Sequence, residues 1–189
     1  MVILGTRFTR RVLLSSLLTV FFSLMVAACA PTPRVAVSPG FRPAAQVETA
    51  YVVPFAAALV PETFSETVFN DFVDQLNLSR RETGVRTFAI LREELKEVDP
   101  SWLSRQFSIS GDIWSYVEDS GCCATNIRVK ARVYVTEPGK STPSVEIYVP
   151  LESFFDHDRS TIDRERDRLA RALARDLAQR IVAAISSNR

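Results

Sequence analysis

Two short clusters hold the residue types that most often do chemistry, Asp156-His157-Asp158 and Cys122-Cys123. His157 is the only histidine of the chain. A catalytic histidine needs a nucleophile and an orienting acid around it in space, whereas adjacent residues on an extended loop point in different directions. The first cluster therefore favours a surface turn between a strand and a helix over an acid/base centre.

The adjacent cysteines Cys122 and Cys123 admit three states: two free thiols, a vicinal disulfide, or pairing with another chain. Cα atoms across a trans peptide lie about 3.8 Å apart, below the usual disulfide range of about 4.4 to 6.8 Å, so a bond between them would be strained. The pair has no CxxC spacing and only one histidine to accompany it, so no metal site is predicted. The pattern favours a structural role over a redox role.

No known catalytic motif accompanies these clusters. The sequence has no GxSxG elbow, no Walker A loop, no HExxH and no dinucleotide-binding glycine motif. We therefore expect a protein that is not an enzyme, without catalytic residues, metal or cofactor. An envelope hydrolase or redox protein that uses His157 or the Cys122-Cys123 pair is the alternative.

The third cysteine ends the motif Val26-Ala27-Ala28-Cys29. Three arginines precede residues 12–26, which are apolar apart from three serines and a threonine. A charged segment, an apolar segment and small residues before a cleavage site are typical of a signal peptide, which we place at residues 1–28. The apolar run could also nearly span a bilayer, so an uncleaved helix or an ordinary signal is the alternative.

Val26-Ala27-Ala28-Cys29 resembles the bacterial lipobox, in which an aliphatic and two small residues precede a cysteine. The resemblance implies a mature protein that starts at Cys29 and carries covalent diacylglyceryl and N-acyl lipid, such as palmitate. Arg10-Arg11 also resembles a degenerate twin-arginine signal, although the hydrophobic segment favours the general secretory route. Ala30, rather than an aspartate, fits outer-membrane sorting as it occurs in enteric bacteria.

Charge and length limit what the mature protein can be. The chain has 189 residues, 23 Lys+Arg and 22 Asp+Glu, and cleavage before Cys29 leaves 20 basic and 22 acidic residues, a net charge of −2. Such a balance gives no global attraction to nucleic acid or to an anionic membrane. About 160 mature residues suffice for one domain.

Proline-rich sequence follows the cysteine. Residues 30–46 contain four prolines and no apolar period, so residues 29–46 are predicted to be the lipidated cysteine and an extended tether. At about 3.1 Å per residue the tether would reach about 50 Å. A strap lying across the domain is the alternative, and the periplasmic domain itself is placed at residues 47–189.

The first half of this domain alternates strands and helices. An apolar run predicts a strand over residues 50–55, and residues 85–91 a second strand. Between them Thr63 and Glu66 have the spacing of a capping box that starts a helix, whose apolar stripe runs from Phe64 to Leu76. Residues 92–98 read as a short helix stopped by Asp99-Pro100, with Trp102 and Leu103 packed on the core.

The second half predicts a meander and a long helix. Residues 107–117, 127–135 and 145–151 alternate with period two, which indicates three half-buried antiparallel strands. From Ser160 the apolar period becomes helical, and Arg164, Arg168, Arg171 and Arg175 face away from it as a solvated surface. We expect an α/β fold of the α+β sandwich type: a mixed sheet of about five strands, with this meander and with helices on one face.

The face of the sheet opposite the helices supplies the candidate binding residues. Aromatic and arginine side chains on a rigid surface are typical of interface hot spots, although they also form ordinary cross-strand pairs on solvated sheets. The candidate partner surface comprises Trp114, Tyr116, Arg128, Lys130, Arg132, Tyr134 and Tyr148.

The order of elements resembles a family of bacterial envelope domains, found in the curli-secretion lipoprotein, in the penicillin-binding-protein-activator lipoproteins and at the amino terminus of the Tol propeller protein. The residues that carry the resemblance are Tyr51-Val52-Val53-Pro54-Phe55, Phe107-Ser108-Ile109-Ser110-Gly111-Asp112-Ile113 and the final Ala/Leu/Arg helix. The resemblance implies a small lipid-tethered domain that binds another envelope component. Long membrane-crossing hairpins are not seen, so pore formation is not expected.

These patterns together predict an outer-membrane lipoprotein that faces the periplasm and serves, without catalysis, in envelope assembly, secretion or transport. An auxiliary of lipid or lipopolysaccharide transport is the alternative, and a deep apolar groove in the structure would support it. The expected partners of the lipoprotein are the membrane, through the anchor, and another envelope protein. Nucleic acid is not an expected partner, and self-association stays open.

Overall fold

The computed structural model describes residues 32–41, 47–92 and 97–186. The predicted signal peptide, Val26, Ala27, Ala28 and Cys29 lie outside the described residues. So does most of the short helix predicted over residues 92–98. The described part from Pro33 onward belongs to one compact unit, Pro33–Arg189.

Strands and helices alternate in the first half, and long strands fill the second. The strands are β1 (Arg34–Val37), β2 (Val47–Val52), β3 (Ala56–Ala57), β4 (Val85–Ile90), β5 (Phe107–Ser120), β6 (Ala124–Thr136) and β7 (Val145–Asp156). The α-helices are α1 (Glu62–Leu78), α2 (Pro100–Leu103) and α3 (Ile162–Ser186), and a 3-10 turn, Arg80–Glu82, follows α1.

The strands form one mixed sheet in the order β1-β7-β6-β5-β2-β4, and β3 pairs with β5. β5, β6 and β7 form the predicted antiparallel meander, while β2 runs parallel to both β4 and β5. The α+β sandwich is therefore confirmed. The sheet has seven strands rather than about five, because β1 and β3 are too short to show an alternating pattern.

α1 and α3 cover one face of the sheet and enclose the core. The predicted stripe of α1 is buried at Phe64, Val68, Phe72 and Leu76. α3 buries a matching row, and its alanines let it approach closely, with Ala170 and Ala174 fully buried. The Ser186 hydroxyl, at the end of α3, donates to the Glu82 carbonyl at 2.7 Å, so both helices end at the same edge.

The starts of two helices differ from prediction. Pro61 is the N-cap of α1, so Thr63 lies inside the first turn and the predicted capping box is wrong. The fixed φ of proline allows helix entry two residues earlier. Asp99-Pro100 begins α2, a helix that was not predicted: the Asp99 carboxylate accepts from the Ser101 amide at 2.8 Å, and Pro100, at the first helical position, loses no hydrogen bond.

α2 belongs to a small second apolar cluster. The Trp102 ring packs edge-on against the Tyr51 ring, with centroids 4.9 Å apart. Both rings pack with Leu103 against the buried residues Val53, Leu91 and Val98. The predicted packing role of Trp102 and Leu103 is thus found, on a cluster separate from the main core.

A β-bulge in β5 interrupts the predicted alternation. Ile113 lies opposite Ala131, but Ser115 lies opposite Lys130, so Trp114 is an extra residue in β5. One extra residue reverses the facing of every side chain after it. Tyr116 and Glu118 consequently lie on the helix-covered side, and Val117, predicted to be buried, is 43% exposed.

Part of the segment predicted as a tether joins the sheet. β1 pairs antiparallel with β7, with Arg34 opposite Tyr148 and Val37 opposite Val145. All four side chains of β1 are exposed. After β1 the Ser38 amide donates to the Ser144 carbonyl at 2.8 Å, and Phe41 packs against the main core. This arrangement matches the strap alternative over residues 34–41.

Candidate functional site

The side of β5, β6 and β7 that faces away from α1 and α3 is here called the open face. Strand register aligns its side chains in rows: Asp112, Arg132 and Tyr148 form one row, and Ser110, Tyr134 and Glu146 the next. Residues directly opposite one another on antiparallel strands have Cβ atoms within about 5.5 Å, so each row is a set of contacts.

The indole of Trp114 is the centre of the open face. The Lys130 Nζ lies 5.1 Å and the Arg132 Cζ 5.5 Å from the ring centroid, within range of cation–π attraction. The Tyr148 ring lies 6.3 Å away, tilted by 32°. Trp114 is still 48% exposed, so a large aromatic surface between two cations is available to a partner.

An ion pair fixes Arg132 in this cluster. The Arg132 Nη2 donates to the Asp112 Oδ2 at 3.0 Å, and the two side chains are 38% and 22% exposed. The hydrogen bond with Asp112 raises the pKa of Arg132, which therefore keeps its charge. Burial, followed by the Asp112 charge, raises the pKa of Tyr134 beside the pair, so Tyr134 presents a neutral hydroxyl.

The structure brings together most of the predicted surface residues. Trp114, Lys130, Arg132 and Tyr148 form the contact cluster, and Tyr134 lies next to it. Arg128 is on the same face but farther along β6, between Val117 and Glu152. Sequence reasoning missed Asp112, although its parity with Trp114 was visible, and also Phe154, which is 66% exposed near Arg128.

The prediction that Tyr116 belongs to the open face is wrong, because the bulge at Trp114 turns it toward the helices. The Tyr116 ring packs edge-on against Phe64 with centroids 4.9 Å apart, and its hydroxyl donates to Glu118. Glu118 accepts from Arg166 Nε at 2.6 Å and from Arg166 Nη2 at 2.7 Å. This bidentate pair joins β5 to α3.

The Glu118–Arg166 pair sets the charge states around it. The hydrogen bond from Arg166 lowers the pKa of Glu118, and the same bond raises the pKa of Arg166. Burial, followed by the hydrogen bond to Glu118, raises the pKa of Tyr116. All three groups therefore hold their usual neutral-pH charges firmly, which suits a structural contact and not proton transfer.

A cavity of about 330 Å³ lies beside this pair, between the first turns of α1 and α3. Its lining combines the apolar side chains of Phe64 and Ala170 with polar and charged ones, which are Thr63, Thr67, Asp163, Arg166 and Asp167. Arg166 is already bound to Glu118 and Asp163. The three charged side chains in this lining distinguish the cavity from the deep apolar groove that lipid transport would require.

The two clusters with chemically active residue types lie at one end of the sheet. Cys122 and Cys123 are exposed free thiols in the β5–β6 turn, with their Sγ atoms 3.1 Å apart. The hydrogen bond with Cys122 raises the pKa of Cys123, so its nucleophilic thiolate is disfavoured. His157 lies in the turn after β7, as predicted, and its Nε2 is 2.8 Å from the hydroxyl oxygen of Thr125, which is buried.

Neither a metal-binding cluster nor a membrane-spanning helix is found among the described residues. No three histidine, cysteine or acidic side chains within residues 32–41, 47–92 and 97–186 are grouped so that they could hold a metal ion. In the same stretches, no helix combines the length and the apolar character needed to cross a membrane.

Solved structures with a similar fold come from several bacteria. The PelC dodecamer of Paraburkholderia phytofirmans has 13% sequence identity and a TM-score of 0.51, covering 78% of this chain and 96% of a PelC chain. The hypothetical protein CT253 of Chlamydia trachomatis has 12% identity and a TM-score of 0.48, covering 75% and 99%. Lipoprotein GNA1162 of Neisseria meningitidis has 10% identity and a TM-score of 0.43, covering 70% and 99%.

The likeness to PelC shows a shared fold, and the other two similarities are weaker. No protein-family model and no curated protein matches the sequence. The resemblance to the curli-secretion, penicillin-binding-protein-activator and Tol domains stays a prediction from the residues.

Proposed function

We propose that the protein is an outer-membrane lipoprotein, anchored through acylated Cys29 and facing the periplasm, that binds another envelope protein as a non-enzymatic accessory in assembly, secretion or transport. The observation that carries the proposal is the exposed Trp114 between Lys130 and Arg132 on the open face. Large aromatic rings and arginines held on a rigid surface are the groups that dominate binding energy at protein interfaces.

The charges of the open face favour a protein partner over lipid or nucleic acid. Basic and acidic side chains are mixed there: Arg128 on β6 lies opposite Glu152 on β7, and Arg132 forms an ion pair with Asp112. A phosphate-rich surface would be matched by basic groups alone. A mixed surface around an exposed aromatic ring is typical of protein interfaces.

A second copy of the chain is one form that this partner can take. PelC, whose subunit shares the fold, forms a dodecamer in its crystal structure. A surface with both charge signs can complement itself through a symmetry operation. Self-association through the open face is therefore included in the proposal.

The surroundings of the chemically active residue types support the proposal of a non-catalytic role. The partner of His157 is the hydroxyl of Thr125, which is only 2% exposed and cannot reach a substrate. Cys123 has a raised pKa. These surroundings favour a role in which neither group serves as a nucleophile or a general base.

The binding proposal is tested by replacing Trp114, Lys130 and Arg132 together with alanine. The matched control replaces Arg164, Arg171 and Arg175 on the exposed side of α3. Both proteins are crosslinked in cells in their lipidated form, and the adducts are identified by mass spectrometry and by gel mobility. We expect the open-face variant to lose at least about 90% of a specific adduct, since hot-spot losses exceed about 1.4 kcal/mol. Retention of every adduct would contradict the proposal.

The anchor is tested separately with Cys29→Ser. Cell fractionation should find the Cys29→Ser protein in a soluble fraction or as an unprocessed precursor. The reason is that an anchor of this kind is durable only when it carries two or three acyl chains. A mutant that loses residues 1–28 and is still membrane-bound would contradict anchoring through Cys29. A wild-type protein that retains residues 1–28 would favour the uncleaved-helix alternative.

A further inference from the structure

β1 is held less firmly than the central strands of the sheet. It has four residues, and among the described strands it pairs with β7 alone. Val35 is 46% and Val37 51% exposed, although both carry apolar side chains. In β6, by contrast, Ile127, Ala131 and Val133 are fully buried and the strand is paired on both sides.

The physical balance for such a strand is narrow. Each residue that joins the sheet loses backbone conformational freedom, and burial of apolar surface is the main term that offsets this loss. The exposed side chains of β1 supply little of that burial, so pairing with β7 rests largely on backbone hydrogen bonds that water can replace. β1 should therefore open far more often than the central strands do.

The position of β1 in the chain gives its opening a consequence, which rests on the proposed anchor at Cys29. From Cys29 to Arg34 there are five residue steps, which span at most about 18 Å at about 3.6 Å each. Ser38, bonded to Ser144, is the next fixed point after β1. From Cys29 to Ser38 there are nine steps, or at most about 32 Å.

We propose that β1 is a releasable strap that sets how far the domain can stand from its membrane. When β1 is paired with β7, the Arg34 edge of the sheet stays within about 18 Å of the acylated cysteine. When β1 is released, the domain gains about 14 Å of reach while the core and the open face keep their structure. The strap thus determines which partners, near or far from the bilayer, the open face can meet.

The strap can be locked by a disulfide. Ala36 and Glu146 lie opposite each other on β1 and β7 and both are exposed, so Ala36→Cys with Glu146→Cys can close a bond without disturbing the core. The background carries Cys122→Ser and Cys123→Ser to prevent mispairing. The lipidated protein is placed in vesicles of phosphatidylethanolamine and phosphatidylglycerol, with a fluorescent noncanonical residue at exposed Ala172 and an acceptor dye in the lipid.

Reducing the engineered disulfide should lengthen the mean distance from the dye to the bilayer by several ångströms, up to about 14 Å, and broaden its distribution. The single variant Ala36→Cys should show no response to reductant. Identical distances before and after reduction would overturn the proposal.

Hydrogen exchange on the same lipidated protein without the lock provides a second measurement. The amides of Arg34–Val37 should exchange at least roughly 100-fold faster than those of β6. Equal protection of the two strands would overturn the strap. A protein that fails to float with the vesicles would contradict the anchor instead, and the exchange measurement would still decide on the strap.

Discussion

The two faces of the central sheet differ in composition and exposure. The face under α1 and α3 is apolar and closed, with Ile109, Ala131 and Ile147 fully buried. The open face carries charged and aromatic side chains on the same strands, and Trp114 and Phe154 there are 48% and 66% exposed. The alternation of a strand allows one element to serve both purposes.

Substitutions on the two faces should therefore affect different properties of the protein. Changes on the covered face remove packing and should lower the free energy of unfolding. Changes on the open face remove little packing and should alter binding while the fold persists. The Glu118–Arg166 pair, at the margin of the covered face, adds a polar contact whose strength depends on pH.

The largest expected effect is on the covered face, with Leu177→Ala in α3. Leu177 is fully buried, and its truncation should lower the free energy of unfolding by about 2 to 5 kcal/mol through lost burial and a residual cavity. Chemical denaturation monitored by circular dichroism measures the change. The neighbouring exposed Arg175→Ala is the control and should stay within about 0.5 kcal/mol. Equal effects of the two variants would contradict the claim that burial of Leu177 against the covered face stabilises the fold.

Gly111→Ala tests how tightly β5 is packed where it meets Phe55. A Cβ at Gly111 would lie 2.8 Å from the Phe55 Cε1 and 2.9 Å from the Arg132 carbonyl oxygen. Because one neighbour is backbone, relief requires a shift of the sheet, and we expect a loss of about 1 to 3 kcal/mol. Thermal unfolding of Gly111→Ala beside Gly121→Ala, whose new Cβ would come no closer than 3.5 Å to another residue, makes the comparison. A neutral Gly111→Ala would contradict this packing.

Glu118→Gln tests the ion pair through its pH dependence. The pKa of Glu118 is lowered in the folded protein, so the pair stabilises the fold above the ordinary pKa of 4.5 and loses this contribution as the pH falls below it. At pH 7 the substitution should cost about 2 kcal/mol, since both side chains are less than one-third exposed.

Denaturation of wild type and Glu118→Gln between pH 7 and pH 3 should therefore give stability curves that converge in acid. Glu152→Gln, at an exposed position on the open face, is the matched control and should show a much smaller difference. A constant gap between wild type and Glu118→Gln at all pH values would show that the charge of Glu118 is not what stabilises β5 against α3.

The smallest expected change in stability is that of Trp114→Ala on the open face. The ring makes its contacts at a half-exposed site, where each cation–π attraction is worth about 0.5 to 1 kcal/mol. A total loss of about 1 kcal/mol or less is expected from denaturation. A loss of stability comparable to that of Leu177→Ala would mean that Trp114 is a structural residue. It would argue against a binding role for this side chain.

The regular parts of the molecule were predictable from the sequence because pattern alone determines them. The alternation from Ile127 to Val135 predicts which side of β6 is buried, and the apolar period from Leu169 to Ile185 predicts the inner side of α3. The same alternation correctly placed Lys130, Arg132 and Tyr134 on one surface.

The errors lie where distant contacts decide the local structure. The bulge at Trp114 follows Ile113, the last residue of β5 that pairs with β3. The residues around Trp114 carry no sequence signal that the pairing with β3 ends there. Tyr116 was therefore placed on the wrong side. β1 has only four residues and pairs with a strand far along the chain, so its pattern was too short to distinguish a strand from a tether.

Site-specific photocrosslinking in cells tests directly whether the open face is the binding surface. A photoreactive residue is placed at Val117, which is exposed on the open face, or at Arg175, which is exposed on α3, and Trp114, Lys130 and Arg132 are left intact. If the open face is the binding surface, a discrete adduct with one envelope protein, or with a second copy of the chain, should form from Val117 only. The adduct should also disappear when Trp114, Lys130 and Arg132 are replaced with alanine. The same adduct from Arg175, or one that survives the triple replacement, would contradict the claim that the open face is the binding surface.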